Sequence, residues 1–313
     1  MKIVFMGSPE FSVPCLKVLA ESKHEVAAVF TQPDKARGRR GNQLVPTAVK
    51  AAALEYGYDV YQPLSLRKGE DAENAMKILN DIAPDLIVVT AYGQILPKEV
   101  LELPEHGCIN IHASILPKYR GAAPINWVIL NGETETGVTS MQMGEGLDTG
   151  DMLIKKTTDI GENETYEELY ARLSVMGGEV LAETLEAVEN GTLSPEPQDD
   201  SLSCYSPMIR KEMSALDFSK SAAEVHNTIR GVTGFTMLDG KRLKVFRSEI
   251  SDNIAPDAPN GSIVDEKRFA VKCGDGKAVI FTEVQPEGKK RMASADFLRG
   301  KKLTKGEILG GEQ

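Results

Sequence analysis

The chain has 313 residues, of which 41% are hydrophobic and 26% are charged. This length and composition allow a sizeable core in two domains and exclude a mostly disordered protein. Apolar runs such as Leu86–Val89 are far shorter than the ~20 residues of a membrane helix, so no membrane association is expected.

The four cysteines, at positions 15, 108, 204 and 273, are widely spaced. They form no zinc-ribbon or disulfide pattern, which favours reduced thiols and no metal site. Met1-Lys2 leads directly into an apolar run that reads as a strand. We therefore expect a cytoplasmic protein without a targeting segment.

The formal net charge of −10 divides unevenly along the chain. Residues 1–206 hold 17 Lys and Arg against 31 Asp and Glu, a balance of −14. Residues 207–313 hold 19 against 15, a balance of +4. An acidic first part is thus followed by a basic second part, which is compatible with a polyanionic partner.

Strand and helix patterns alternate from the first residues onwards. Short apolar runs predict strands at Lys2–Met6, Val26–Phe30, Leu86–Val89 and Cys108–Ile111. Helical patterns occur at Pro46–Tyr56 and Ala72–Ile82, and a further helix is expected to begin at Ser8-Pro9-Glu10. The alternation predicts an α/β fold with a Rossmann-like, doubly wound, mostly parallel sheet.

Later patterns indicate how this domain ends and a second one begins. A strand pair is predicted at Val138–Met143 and Asp151–Ile160, and a capping box at Thr165-x-x-Glu168 starts a helix that ends at Asn190-Gly191. The polar, proline-bearing stretch around 194–201 resembles a linker. We expect a first domain at 1–190, a linker at 191–206 and a second domain at 207–313.

The second domain has a different pattern. Ser221-x-x-Glu224 forms another capping box, which opens a helix ending near Gly231. Short apolar runs separated by turn residues follow, at 243–246, 262–264, 269–271 and 278–281. This pattern predicts a small β-barrel.

The first strand–helix turn argues against a dinucleotide cofactor. It reads Gly7-Ser8-Pro9 where a dinucleotide fingerprint would read GxGxxG. Pro9 lacks an amide donor and Glu10 would repel a phosphate. NAD is therefore not expected to bind there.

A denser group of polar residues begins at the end of the fourth predicted strand. Asn110 and His112 are two residues apart, so they share one face at the carboxyl edge of the sheet. Farther along, Asp148 lies in a glycine-rich turn. The simpler interpretation is that Asn110 and His112 form a structural hydrogen-bonded pair and that Asp148 caps its own turn. Together, however, an amide, an imidazole and a carboxylate can move an acyl group onto an amine.

The sequence favours direct transfer of the acyl group to the amine over a mechanism with a covalent acyl-enzyme. It contains no GxSxG motif. Cys108 is expected to point away from the face that carries Asn110 and His112. Without a nucleophile, the acyl group would pass straight to the amine.

Several motifs support a family resemblance. Asn110-Ile-His112, the run Ser114-Ile-Leu-Pro-Lys-Tyr-Arg-Gly-Ala-Ala-Pro124 and Leu147-Asp148-Thr149-Gly150 resemble the 10-formyltetrahydrofolate-dependent formyltransferase family. Phe5–Phe11, Thr31–Asp34 and Ala91–Pro97 narrow the resemblance to members that formylate initiator methionyl-tRNA. The resemblance covers nearly the whole chain, in order.

The resemblance implies roles for particular residues. Asn110 and a protonated His112 would steady negative charge on the formyl oxygen, and Asp148 would orient His112 and help to accept the amine proton. The product would be N-formylmethionyl-tRNA for translation initiation. The folate would lie along two segments, with contacts from Tyr92, Gln94, Ile95, Leu96, Ser114, Ile115, Leu116 and Pro117.

The resemblance also implies how the tRNA binds. The basic loop after Asp34 would enter the acceptor arm through Arg37, Arg39 and Arg40. The C-terminal domain would be an OB-like barrel, with Lys244, Lys290 and Arg291 as candidate phosphate contacts. The protein is expected to be a monomer.

Two other functions stay open at this point. A formyltransferase acting on an amino sugar nucleotide would keep Asn110, His112 and Asp148 but would have little use for the basic loop and basic second domain. A non-catalytic RNA-binding protein on a Rossmann-like scaffold would need none of the three.

Overall fold

The computed structural model describes residues 1–37, 43–251 and 255–310. It divides into two compact units. The first comprises residues 1–121, 136–158 and 170–205, and the second comprises residues 122–135, 159–169 and 206–313. The second unit thus takes two segments from the region assigned to the first domain, and the boundaries at 190 and 207 stay a prediction.

The elements follow the chain in a largely alternating order. The strands of the first part are β1 (Lys2–Gly7), β2 (Glu25–Phe30), β3 (Lys35–Arg37), β4 (Gln43–Val45), β5 (Val60–Tyr61), β6 (Leu86–Thr90), β7 (Cys108–His112), β8 (Arg120–Gly121), β9 (Glu135–Gln142), β10 (Met152–Asp159) and β11 (Tyr205–Ser206). Its helices are α1 (Val13–Glu21), α2 (Ala48–Glu55), α3 (Glu70–Ile82), α4 (Lys98–Leu101), α5 (Pro124–Leu130) and α6 (Tyr166–Asn190). The remaining elements are α7 (Ala222–Val232), β12 (Gly234–Leu238), β13 (Lys241–Ser251), β14 (Ile263–Asp265), β15 (Ala270–Lys272), β16 (Ala278–Pro286), β17 (Met292–Ala293) and α8 (Ser294–Gly300).

The first unit is built on a seven-stranded sheet of order β10-β9-β7-β6-β1-β2-β5. Neighbours from β7 to β5 run parallel, and β9 joins β7 in the antiparallel sense. The central strand β6 is buried along its whole length, as expected for an apolar strand covered on both faces. The predicted mostly parallel α/β sheet is therefore confirmed, and so is the predicted late strand pair.

Strand register brings three carboxyl ends to one edge of this sheet. Gly7 at the end of β1 lies opposite Thr90 at the end of β6. Val89 in turn lies opposite Asn110 in β7. Loops leaving these strands therefore meet at a common edge, where open α/β sheets bind their ligands.

The chain leaves β1 differently from the prediction. The segment Glu10–Ser12 forms a 3₁₀ turn and α1 begins only at Val13. Ser8 caps neither helix, because its hydroxyl donates to the Tyr92 carbonyl oxygen at 3.0 Å and accepts from the Gln32 amide at 3.1 Å. The expected helix start at Ser8 was wrong because loops from neighbouring strands already use that hydroxyl.

The stretch predicted as a linker is bonded to the first unit. Glu196 pairs with Met152 of β10 through two backbone hydrogen bonds of 2.9 and 2.8 Å. Asp200–Leu202 then forms a 3₁₀ turn, and the Cys204 carbonyl accepts from the Arg120 amide at 3.0 Å. The segment behaves as a partner of the edge strand β10, whose outer backbone groups would otherwise lack such bonds.

The second unit contains an antiparallel sheet of order β12-β13-β16-β15-β14, with β17 beside β16. The end of the described chain contacts both edge strands. The Gly306 amide donates to the Ile263 carbonyl of β14, and the Gly310 amide donates to the Met237 carbonyl of β12. This segment joins the two edges, so the predicted small β-barrel is confirmed as a barrel-like sheet.

The two predicted capping boxes are both present. The Thr165 amide donates to Glu168 Oε2 at 3.0 Å ahead of α6, and Ser221 and Glu224 form the same reciprocal pair ahead of α7. The sequence did not predict β12, β17 or the closing segment. Within the described residues, the helices lack the combination of length and hydrophobicity that crossing a bilayer requires.

Candidate active site

The structure brings together the three side chains predicted to carry the chemistry. Asn110 Nδ2 lies 3.4 Å from Asp148 Oδ1, and His112 Nδ1 lies 3.8 Å from Asp148 Oδ2. Asn110 and His112 are on β7 at the carboxyl edge of the sheet, two residues apart as predicted. An amide, an imidazole and a carboxylate therefore converge at the edge where a ligand is expected.

Asp148 reaches this position from the turn after β9. Its backbone has a φ of +52°, a conformation that is uncommon for a residue other than glycine. Gly150 allows the turn to approach β9, because a Cβ on Gly150 would lie 1.7 Å from the Gln142 carbonyl oxygen. The turn is therefore shaped by close backbone packing.

The Asp148 carboxylate bonds with residues far away in sequence. Its Oδ2 accepts from the Gly121 amide at 2.8 Å, in addition to the contact between Asn110 and Oδ1. Its side chain is 12% exposed. These long-range contacts distinguish Asp148 from an aspartate that only caps its own turn.

The hydrogen bonds of His112 identify the ring nitrogen that can exchange a proton. Nε2 lies 2.9 Å from the Tyr119 carbonyl oxygen. A carbonyl oxygen only accepts, so Nε2 carries a hydrogen and donates it. Nδ1, which faces Asp148, is therefore the atom that gains or loses the proton.

The first predicted folate segment combines buried and exposed residues. Tyr92 and Leu96 are buried, whereas the Ile95 side chain is 63% exposed. Gln94 braces the loop, since it accepts from the Leu66 amide at 2.9 Å and donates to the Pro63 carbonyl at 2.8 Å. Burial raises the pKa of Tyr92, and its hydroxyl has no hydrogen-bond partner among the described residues.

The second predicted folate segment leaves β7 directly after His112. The Ser114 hydroxyl donates to the Lys118 carbonyl at 2.7 Å, and the Leu116 amide donates to the Thr139 hydroxyl at 3.3 Å. Ile115 and Pro117 are half-buried. This loop is thus fixed beside the three polar side chains.

The expected orientation of the Cys108 side chain, away from Asn110 and His112, was wrong. A strand repeats every two residues, so Cys108 shares the face of Asn110 and His112. Its thiol lies deep in the core, 3.5 Å from the Val100 carbonyl oxygen, and burial raises its pKa to about 12. A thiol in this environment stays protonated at neutral pH and is a poor nucleophile.

Gln198 is a residue at the site that sequence reasoning missed. Its Nε2 donates to the Asp148 carbonyl at 2.9 Å and to the Gly150 carbonyl at 2.7 Å. Its Oε1 accepts from Arg120 Nε at 2.9 Å. The only available signal was the polar composition of this stretch, which indicated a linker instead.

The residues predicted to contact tRNA differ from one another in exposure and in hydrogen bonding. Arg37 ends β3, and Arg39 and Arg40 lie outside the described residues. Lys244 and Lys290 are exposed. Arg291 instead donates to Glu283 at 2.7 Å and to Glu167 at 3.1 Å, and these hydrogen bonds raise its pKa. A phosphate would have to compete with two carboxylates for Arg291.

Comparisons with known proteins identify the family. A model described as formyl transferase matches residues 1–185, and one described as formyl transferase, C-terminal domain, matches residues 208–302. The chain belongs to the formyl transferase family. A relative named methionyl-tRNA formyltransferase, from Alkaliphilus oremlandii, is 47% identical over 315 residues, which cover 99% of this chain and 100% of the relative. One of the same name from Citrifermentans bemidjiense is 50% identical over 316 residues, covering 99% and 96%.

Solved structures show that other proteins share the fold of this chain. WlaRD, a sugar 3N-formyl transferase crystallised in the presence of dTDP and 5-N-formyl-THF, has a TM-score of 0.69 at 22% identity, covering 93% of this chain and 99% of that one. HypX from Aquifex aeolicus in complex with tetrahydrofolic acid has a TM-score of 0.61 at 18% identity, covering 95% and 47%. These similarities concern the fold alone.

Proposed function

We propose that this protein transfers a formyl group from 10-formyltetrahydrofolate to the α-amino group of initiator methionyl-tRNA. The product is N-formylmethionyl-tRNA, which serves translation initiation. The convergence of Asn110, His112 and Asp148 carries the proposal, because these groups suit formyl transfer to an amine. Nearly full-length identity of 47–50% to methionyl-tRNA formyltransferases supports this acceptor.

The residues beside the three polar groups suit a folate. The exposed Ile95 offers an apolar surface, and the orphaned Tyr92 hydroxyl is a buried polar group that a ligand could satisfy. When bound, 10-formyltetrahydrofolate supplies the formyl group. The residues that would hold it are Tyr92, Gln94, Ile95, Leu96, Ser114, Ile115, Leu116 and Pro117.

Asn110 and His112 stabilise the negative charge that develops on the formyl oxygen. Asn110 Nδ2 has two hydrogens, of which one points to Asp148 and the second can donate to the substrate. His112 donates from Nδ1 when that atom is protonated. Loss of one such donor typically costs on the order of 10²–10³ in rate.

Asp148 assists removal of the amine proton. A free α-amino group has a pKa of ~8, so much of it is protonated near pH 7 and needs help to become a nucleophile. The Asp148 carboxylate, 3.8 Å from His112 Nδ1, accepts the proton directly or through water and holds the ring in place. The buried thiol of Cys108 takes no part, so the amine nitrogen bonds directly to the formyl carbon without a covalent acyl-enzyme. The bond between that carbon and the folate nitrogen breaks, and a proton given up by the amine replaces the formyl group on the leaving tetrahydrofolate.

The second domain binds the acceptor arm of the tRNA in this proposal. Lys244 lies opposite Gln285, whose side chain bonds with the Lys289 carbonyl, so Lys244 and Lys290 lie at one end of the barrel-like sheet. Nearby, the Arg242 guanidinium lies 3.6 Å above the Phe235 ring. Basic and aromatic side chains on one surface are typical of nucleic-acid binding. The other residues that we propose to contact the tRNA are Arg37, Arg39, Arg40 and Arg291.

The remaining expectations form part of the same proposal. We assign the catalytic domain to residues 1–190, the linker to 191–206 and the tRNA-binding domain to 207–313. The two family matches, to residues 1–185 and 208–302, are compatible with this division. The protein acts as a monomer in the cytoplasm.

A formyl-transfer assay with two acceptors tests the proposal. Initiator methionyl-tRNA and a dTDP-linked amino sugar are each offered with 10-formyltetrahydrofolate. We expect transfer to the tRNA only. Transfer to the sugar nucleotide would favour the second formyltransferase function, and binding of tRNA without transfer would favour a non-catalytic RNA-binding protein.

Salt and charge dependence test the proposed tRNA surface. The Michaelis constant for tRNA should rise steeply between about 50 and 200 mM salt, because phosphate contacts release counterions. Lys244→Glu and Lys290→Glu should each raise the Michaelis constant for tRNA about five-fold. Both should leave the Michaelis constant for the folate unchanged. Lys267→Glu, with the same charge change at an exposed turn after β14, is the matched control. A flat salt response would contradict this part of the proposal.

A further inference from the structure

The backbone around Asp148 is held by one amide side chain. Gln198 Nε2 donates both of its hydrogens, to the carbonyl oxygens of Asp148 and Gly150 at 2.9 and 2.7 Å. These two carbonyls flank Thr149 in the turn where Asp148 has its φ of +52°. A single side chain therefore clamps both sides of the turn that presents the carboxylate.

Backbone pairing places Gln198 opposite this turn. Glu196 pairs with Met152 as an antiparallel bridge, with hydrogen bonds in both directions. In an antiparallel pair, the residue two positions later on one strand lies opposite the residue two positions earlier on the other strand. Gln198 is thus carried to Gly150 by the register of the edge strand.

The orientation of the Gln198 amide is fixed by its partners. Carbonyl oxygens only accept, so the NH₂ group must face Asp148 and Gly150. Arg120 Nε only donates, and at 2.9 Å it selects Oε1 as its partner. Arg120 Nη2 in turn donates to Asp200 Oδ1 at 2.8 Å, which connects the clamp to the 3₁₀ turn that follows it.

We propose that Gln198 is a positioning residue for formyl transfer, which fixes the Asp148 carboxylate against His112 by clamping the backbone of the Asp148 turn. This inference rests on the proposed role of Asp148. Gln198 acts through the backbone, so its removal should lower turnover without weakening the binding of either substrate. A misplacement of about 1 Å can cost on the order of 10²-fold in rate.

Two substitutions separate the amide donors from side-chain size. Gln198→Met keeps the length of the side chain and removes all three hydrogen bonds. Gln198→Glu keeps an acceptor for Arg120 but directs a carboxylate oxygen at two carbonyl oxygens. We expect both to lower kcat about 10- to 100-fold while the Michaelis constants for folate and tRNA change less than about twofold. Glu196→Gln, in the same segment, should match wild type because the Glu196 backbone pairing is kept.

A double-mutant cycle with Asp148→Asn is the decisive experiment. If Gln198 acts through Asp148, Gln198→Met should lower kcat less than about twofold further in the Asp148→Asn background. An equal loss in both backgrounds, or a Gln198→Met single variant within twofold of wild type, would overturn the proposal.

The cycle also separates this inference from the proposed function. If the wild-type protein formylates the amino sugar nucleotide and not methionyl-tRNA, the proposed acceptor is wrong. The same double-mutant cycle, measured with the sugar nucleotide as acceptor, still tests the role of Gln198. Melting temperatures measured alongside identify a loss that comes from unfolding. Gln198→Glu then provides a second route if Gln198→Met does not fold.

Discussion

Strand β7 and the Asp148 turn supply the same site but are positioned in different ways. In β7, pairing with β6 and β9 fixes the backbone of Asn110, pairing with β9 fixes that of His112, and two-residue periodicity sets their common face. The Asp148 turn has no such ladder. It depends on close packing of Gly150 against Gln142 and on hydrogen bonds from Gln198.

This difference shows which parts of an active site tolerate change. A side chain on a central strand can be replaced with little effect on its neighbours, because the backbone ladder persists. A turn held by a few specific contacts moves when one contact is lost. We therefore expect substitution of Asn110 on β7 to affect chemistry alone, and substitution of Gly150, whose packing shapes the turn, to affect both chemistry and structure.

The largest combined loss of activity and stability is expected for Gly150→Ala. The new Cβ would lie 1.7 Å from the Gln142 carbonyl oxygen, so the turn must move. Formyl transfer should fall more than about 100-fold, and the free energy of unfolding should drop by about 3 kcal/mol. Kinetics and thermal unfolding measure the two effects.

Gly144→Ala provides the matched control in the same turn. Among the described residues, apart from Gly144 itself and its two chain neighbours, no atom lies within 4 Å of the position that its Cβ would take, so activity and stability should stay near wild type. Equal losses in the two variants would show that the turn is generally intolerant rather than held at Gly150.

On the strand side, Asn110→Ala should lower kcat about 100-fold, as expected for the loss of one donor to developing negative charge. The melting temperature should stay close to that of wild type, because the β7 backbone pairing is unchanged. A drop in melting temperature comparable to that of Gly150→Ala would remove the distinction between strand and turn.

The first turn of α6 offers a second example of a segment held by a distant side chain. Arg247 bonds with Glu168, and this hydrogen bond is the main reason that the pKa of Glu168 falls from 4.5 to about 2. A carboxylate whose pKa is lower in the folded state stabilises the fold above its ordinary pKa, and this contribution is lost as the pH falls from 4.5 towards 2.

Glu168→Gln should therefore destabilise the protein by about 1 kcal/mol at pH 7, a value reduced for screening because the Glu168 side chain is 44% exposed. Glutamine still allows the capping box with Thr165. Unfolding measured from pH 7 to pH 2.5 should show the difference between variant and wild type shrinking. A difference independent of pH would show that the ion pair is not its source.

The smallest effect is expected for Cys108→Ala. The thiol shares the face of Asn110 but lies in the core, so activity should stay within about twofold while stability falls by about 1 kcal/mol. With its pKa raised to about 12, Cys108 should also resist alkylation at pH 8, whereas the exposed Cys204 should react. A large loss of activity would reopen the possibility of a covalent intermediate.

The same comparison explains what could be predicted from the sequence. The parallel sheet, both capping boxes and the shared face of Asn110 and His112 follow from local patterns of apolar residues and cap residues. The closing of the barrel by Gly310 and the role of Gln198 depend on pairing between distant segments. No local pattern encodes such pairing, so the bridge between Glu196 of the predicted linker and Met152 of β10 could not be foreseen from the sequence.

Arg291 shows the same limit for charged residues. Its position in a basic stretch indicated a phosphate contact, which stays a prediction; the structure adds that Arg291 pairs with Glu283 and Glu167. Charge counts describe a region, whereas the partner of a particular side chain depends on the fold. Arg247, also in the basic second part, likewise pairs with Glu168.

The single-turnover rate of formyl transfer from 10-formyltetrahydrofolate to initiator methionyl-tRNA, compared between wild type and Asp148→Asn, tests the central claim most directly. We expect wild type to transfer formyl and Asp148→Asn to be about 10³-fold slower, with unchanged binding of the folate and an unchanged melting temperature. A rate for Asp148→Asn within tenfold of wild type would contradict the role assigned to this carboxylate.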